Sequence, residues 1–201
     1  MTCIESGDST SAGSTTSLTS DSQGHHRGNL SLRRAIAADA AFEGALSAPD
    51  INDARREMEV NYFGTLSLTR AFAPVLAKAG GGALLNMLSM LALVSLPLAA
   101  TYSASKAASL CLTRSLRAEL GAQATQVVGV LAVQTKTNMD AKLPEPRMTP
   151  QQVVTDALDA IEGGTNDEIV AGNQSRAIYE AFIADSQGLQ AKMSTRLPQR
   201  A

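Results

Sequence analysis

The sequence predicts an α/β domain in which a parallel sheet is covered by helices on both faces. Two apolar runs, ALLNMLS (83–89) and QVVGVLAV (126–133), are short, bounded by breakers and free of polar alternation, the pattern of strands buried on both sides. A long stretch of helical composition separates them. A third short run at 168–171 continues the alternation of strand and helix, which calls for crossover connections and hence parallel strands.

Taken in order, residues 1–29 read as a disordered polar tail. Ser, Thr, Gly and Asp dominate 1–23, and such a composition buries too little apolar surface to offset the entropy of ordering. Residues 30–201 then form the domain. LSLRRAIAADAAFEGAL (30–46) has helical composition and is broken at Gly44 before Pro49. Asp50 is placed to cap the next helix, with Asp53 favouring its positive end. Met58, Val60, Phe63, Leu66, Leu68, Ala71, Phe72 and Val75 give that helix a broad apolar surface to about Lys78. Pro74 is expected to kink or tighten its last turn, and Gly80-Gly81-Gly82 to stop it.

The strand 83–89 is followed by a loop over 90–99, a helix over 100–120 ended by Gly121, and the strand 126–133. Residues 134–148, with Pro144 and Pro146, read as a loop. Thr149, Pro150 and Gln152 form a strong helix start: N-cap, proline at the first position, and a residue able to close a capping box. That helix ends at Gly163-Gly164. A strand over 168–171, a helix over about 174–185 and a frayed tail complete the chain.

The 201 residues carry a net charge of −2 with no basic block, which favours neither nucleic acid nor an anionic membrane. With no Trp, three Tyr and four Phe, a stacking platform for single strands is not expected. Cys3 and Cys111 lie far apart, so neither a disulfide framework nor a zinc site is indicated. Cys111, in an apolar helical context, reads as a buried thiol. His25-His26 sit in the polar tail without acidic or Cys partners, the setting of solvated histidines rather than metal ligands. Neither a signal peptide nor a spanning segment is expected, and a cytoplasmic location is the expectation.

Chemistry gathers in SMLALVSLPLAATYSASK. Tyr102 and Lys106 are four apart in a helix and so project from one face. A phenol beside an ammonium is suited to proton exchange near neutral pH. Ser89 ends an apolar strand thirteen residues before Tyr102 and can bring a hydroxyl alongside, while Asn61 lies in the helix preceding that strand.

With these residues in view, the chain from about Gly44 to Leu197 resembles a short-chain dehydrogenase/reductase. MEVNYFGTLSLTRAFAP matches the family's Asn helix at Asn61, ALLNMLS its strand and Ser at Ser89, and TYSASKAA its Tyr-x-x-x-Lys at Tyr102 and Lys106. The resemblance implies a Rossmann-like parallel sheet flanked by helices, with the N-terminal strands truncated. It implies a carbonyl or secondary alcohol as substrate and NAD or NADP as cofactor, with the choice between them unread. Tyr102 would then exchange the proton, and Lys106 would lower the phenol's pKa and hold the nicotinamide ribose. Ser89 would bond the substrate oxygen, and Asn61 would order a water linking Lys106 to solvent. Thr137 would touch the cofactor. A homodimer or homotetramer is implied, packed through the Asn helix (Leu66, Leu68, Phe72, Val75) and the Tyr helix (Leu110, Leu112, Leu116).

The departures are specific. Ala132-Val133 stand where the family usually has Pro-Gly, and Leu88 stands where another Ser is common. Gly24-x-x-x-Gly28 follows no apolar strand and has Leu30 in place of a third glycine, so it reads as a polar linker better than as a phosphate loop. The Asn-Asn-Ala-Gly motif is absent. Two other readings therefore stand beside the enzyme: a catalytically silent relative acting as an association module, and a chain that borrows strands from a partner.

Overall fold

A computed structural model describes residues 40–41, 44–137, 145–165 and 167–198. The expected disordered tail and most of the expected helix over 30–46 lie outside these residues; within them, 45–47 form a turn. The chain proceeds as α1 (Asn52–Met58), a π turn (Glu59–Gly64), α2 (Thr65–Lys78), β1 (Gly82–Met87), α3 (Ala100–Gly121), β2 (Thr125–Leu131), α4 (Pro150–Glu162), β3 (Glu168–Val170), α5 (Gly172–Ala184) and α6 (Ser186–Ser194). Two short 3-10 turns, Met90–Ala92 and Pro97–Ala99, lie between β1 and α3.

Among the described residues the sheet has three parallel strands in the order β1-β2-β3, with Gly82 opposite Thr125 and Gly129 opposite Glu168. Strands this apolar must be covered on both sides, and they are. One face of the sheet (Ala83, Leu85, Val128, Val130) packs with Val153, Ala157 and Ile161 of α4. On the other face Leu84 and Val127 meet Leu76 of α2 and Leu116 and Leu120 of α3. Val127, Val128 and Val130 are wholly buried, each worth roughly 1.5–3 kcal/mol of transfer free energy. This is the Rossmann-like arrangement of a parallel sheet between helix layers.

The turn Gly80-Gly81-Gly82 has φ of +81°, +116° and +155°. A side chain at Gly81 would run into the Ala124 carbonyl, so close packing of the α2–β1 turn on the start of β2 requires glycine there.

The structure corrects several sequence expectations. The long helix from Asp50 is an α–π–α element whose N-cap is Ile51. Asp50 stands one residue before that position and reaches forward to accept the amide of Asn52, the first residue of α1, at 2.7 Å. Ser89 lies two residues beyond β1 and caps the first 3-10 turn by accepting the Leu91 amide at 3.1 Å. Cys111 is exposed, because it sits on the outer face of α3. Leu110 and Leu116 are buried within the chain's own core and so are not free for a partner. The tail after 185 contains α6, begun by Asp185 accepting the Gly188 amide at 2.8 Å. The capping box at Thr149 and Gln152 forms as expected.

Candidate active site

In a parallel sheet with crossover helices, ligands bind beyond the carboxyl ends of the strands. Met87 ends β1 at that edge, and three of the expected residues meet around it. Lys106 donates from Nζ to the Met87 carbonyl at 2.9 Å. The same ammonium lies 5.7 Å from the centroid of the Tyr102 ring, within cation–π range. Ser89 follows Met87 by two residues, held in extended backbone at φ −144° and ψ 153°. Tyr102, Lys106 and Ser89 are all buried, with 7%, 2% and 8% exposure.

Burial pushes the Lys106 ammonium down from its ordinary 10.5 to about 8, because desolvation disfavours the charged form. Part of that cost is recovered by the bond to Met87, a charge-assisted contact to a strand carbonyl.

Asn61 enters from the π turn. π turns of this kind recur at functional positions because they disturb the regular helical ladder. The Asn61 carbonyl accepts from Thr65 Oγ1 at 2.8 Å, and Ser109 Oγ lies 2.8 Å from both that carbonyl and the Ser105 carbonyl, its single proton shared between the two. Its side chain donates from Nδ2 to Ser105 Oγ at 2.9 Å, and Ser105 donates to the Tyr102 carbonyl at 2.8 Å. Asn61 is thus tied to the Tyr102 turn through a serine.

Thr137 stands apart. It is exposed on the loop after β2, with its amide donating to the Thr135 carbonyl at 2.7 Å. That loop is fastened where Thr135 bridges Met148.

Sequence reasoning missed Ser105, Ser109 and the Met87 carbonyl. Ser105 and Ser109 were legible in principle, as small hydroxyls spaced by four on one face of α3. The Met87 carbonyl was not, since its use depends on where α3 crosses the end of β1. Among the described residues no group of three His, Cys, Asp or Glu side chains is placed to hold a metal ion. No helix there is long and apolar enough to cross a membrane.

The match to known proteins bears on the same segment. Residues 36–148 match the family model of the short chain dehydrogenases. Similar curated proteins include the NADPH-dependent 1-acyldihydroxyacetone phosphate reductase of Schizosaccharomyces pombe, 35% identical over 48% of this chain and 35% of that protein. Another is dehydrogenase/reductase SDR family member 7B of Bos taurus, 29% identical over 73% of this chain and 50% of its own length. Among solved structures, a short chain dehydrogenase from Burkholderia cenocepacia in complex with NADP is 42% identical. It has a TM-score of 0.74 and covers 78% of this chain and 65% of its own. The chain belongs to the short-chain dehydrogenase family. It spans 35% and 50% of the two curated relatives named here.

Proposed function

We propose that this chain is an NAD(P)-dependent oxidoreductase that interconverts a carbonyl and a secondary alcohol, using Tyr102, Lys106, Ser89 and Asn61. The observation that carries the reading is the buried Tyr102–Lys106 pair at the carboxyl end of β1. A phenol held beside an ammonium has a stabilised anionic form, which suits it to give a proton to a carbonyl oxygen or take one from an alcohol.

The donor set fits the nicotinamide-ribose end of a dinucleotide. Lys106 uses one of its three N–H donors on Met87, leaving two for ribose hydroxyls. Tyr102 is the second proposed contact, and Thr137, exposed on the loop after β2, is proposed as a third from outside this cluster. When bound, the cofactor supplies or accepts the hydride. The chain's own residues do the rest: Ser89 donates to the substrate oxygen as charge develops there, Tyr102 moves the proton, and Lys106 supplies the field that favours phenolate. For the pyrophosphate, the described residues contain no fitting cradle. Gly80–Gly82 lie at the amino end of β1, the wrong edge of the sheet, and Gly24 and Gly28 lie outside the described residues.

That missing cradle favours a second reading, a catalytically silent relative acting as an association module. Phe63, Leu68 and Val75 expose 47%, 36% and 44% of their surfaces on the π turn and α2, an apolar face suited to a second copy of the chain. A homodimer or homotetramer in the cytoplasm is part of both readings.

Thermal unfolding with NADH and with NADPH at millimolar concentration separates them. Binding to the folded state raises Tm by mass action. A rise of several degrees with either cofactor is expected; no rise with both leaves the silent relative.

A further inference from the structure

We propose that Ser105 is a positioning residue for Tyr102, which passes the hold of Asn61 to the helical turn that carries the phenol. This rests on the oxidoreductase reading given above.

The need for such a residue follows from how α3 begins. Its N-cap is Ala99, which has no side chain able to accept a hydrogen bond, so the first-turn amides lack the usual cap. Tyr102 is the third residue of that helix. The reacting phenol therefore sits in an uncapped first turn, and displacement of a catalytic group by about 1 Å can cost on the order of 100-fold in rate.

Side chains along α3 hold its first turns by other contacts. Ser103 donates to the Ala99 carbonyl at 2.8 Å and accepts the Leu96 amide at 3.3 Å, which holds the entry to the helix. Ser105, wholly buried, holds the Tyr102 carbonyl itself at 2.8 Å. The serine hydroxyl has one proton, and it is spent on Tyr102. Its oxygen is thereby left to accept, and Asn61 Nδ2 donates to it at 2.9 Å. The direction of both bonds is thus fixed, Asn61 to Ser105 to Tyr102.

The far end of this relay is itself anchored. Asn61 is buried, and its carbonyl accepts from Thr65 of α2, with Ser109 of α3 sharing its proton between that carbonyl and the Ser105 carbonyl. Of Asn61, Ser105 and Tyr102, only Ser105 has no part in the proposed chemistry. Alanine there removes the acceptor for a buried amide and the donor to the Tyr102 carbonyl in one step, in a setting where bonds along a chain reinforce one another.

The test compares Ser105→Ala with Thr113→Val. Thr113 is equally buried on α3 and bonds Asn86 and the Ser109 carbonyl, away from Tyr102. Activity is followed as NADPH oxidation with 2-decanone and with cyclohexanone. Both variants are expected to lose similar Tm. Ser105→Ala should lower kcat about 10-fold or more with KM for NADPH within about two-fold, whereas Thr113→Val keeps kcat within about two-fold. The double variant Asn61→Ala with Ser105→Ala should lose no more kcat than Asn61→Ala alone, since the two act as one unit. Equal kcat in Ser105→Ala and Thr113→Val, or losses that add in the double variant, overturns the proposal. Should Ser105→Ala not fold, Ser105→Cys keeps the side-chain volume with a far weaker donor and is expected to show the same kcat loss.

A wild-type chain with no turnover defeats the oxidoreductase reading alone. The positional link is then decided by the ring-carbon NMR resonance of Tyr102, assigned with Tyr102→Phe. A shift of that resonance in Ser105→Ala but not in Thr113→Val upholds the link, and an unmoved resonance refutes it.

Discussion

Lys106 closes the carboxyl end of β1 by donating to the Met87 carbonyl at 2.9 Å while lying over the Tyr102 ring. One ammonium therefore joins the sheet to the helix that carries the phenol, at the cost of being withdrawn from water.

That cost is visible in pH dependence. The folded pKa of Lys106 is depressed to about 8 from 10.5 by burial. Between those values the unfolded chain keeps a proton that the folded chain has released, so stability from this group rises with pH across the window. Below about pH 8 the burial cost is constant, at about 3 kcal/mol from the size of the shift. Relative to wild type, Lys106→Met should therefore gain most below pH 8 and lose that advantage by pH 10.5, with the orphaned Met87 carbonyl offsetting a constant part. Urea denaturation at pH 7, 9 and 10.5 measures this; a stability difference independent of pH contradicts it.

Tyr102→Phe isolates the proton step. The ring stays, so packing against the Lys106 ammonium is largely retained and Tm should change by no more than a few degrees. Removal of a positioned general acid typically costs 10²–10⁴-fold, and kcat for carbonyl reduction should fall within about that range. Steady-state kinetics with NADPH decides it, and retention of more than about a tenth of the wild-type kcat counts against Tyr102 as the acid.

Gly172 holds the start of α5 at φ +75°, and a side chain there would run into the Met148 sulfur. Met148 in turn fastens the loop after β2 through its bridge to Thr135. Gly172→Ala should destabilise the chain by about 2 kcal/mol or more, from left-handed backbone and displaced packing together. Chemical denaturation checks the value, and a change below about 0.5 kcal/mol shows that Met148 yields freely.

Gln190 of α6 clasps Ser95, accepting its amide at 2.9 Å and donating to its carbonyl at 3.0 Å. These bonds span the loop whose ends carry Ser89 and Tyr102. Because they are exposed, Gln190→Ala should shift Tm by less than about 3 °C while speeding hydrogen exchange of the Ser95 amide about ten-fold or more. Unaltered exchange at Ser95 means that the loop is held by Leu93 and Val94 instead.

The sequence by itself determined the alternation of strand and helix between about residues 50 and 185, the parallel sheet and the family, because buried strands, a capping box and a Tyr-x-x-x-Lys helix are written in local periodicity and spacing. Thr149 capped the helix it was expected to cap because the signal lies within four residues. Only the tertiary structure decided that Asn61 sits in a π turn and reaches Tyr102 through Ser105, since those contacts join residues 44 apart in the chain. It also decided which leucines of α3 were core, and that Cys111 faced outward. Helical spacing defines a face, and only packing decides what that face meets. The bond from Lys106 to Met87 is of the same kind: four residues of spacing placed the lysine beside the tyrosine, and the crossing of α3 over the end of β1 decided what the ammonium holds.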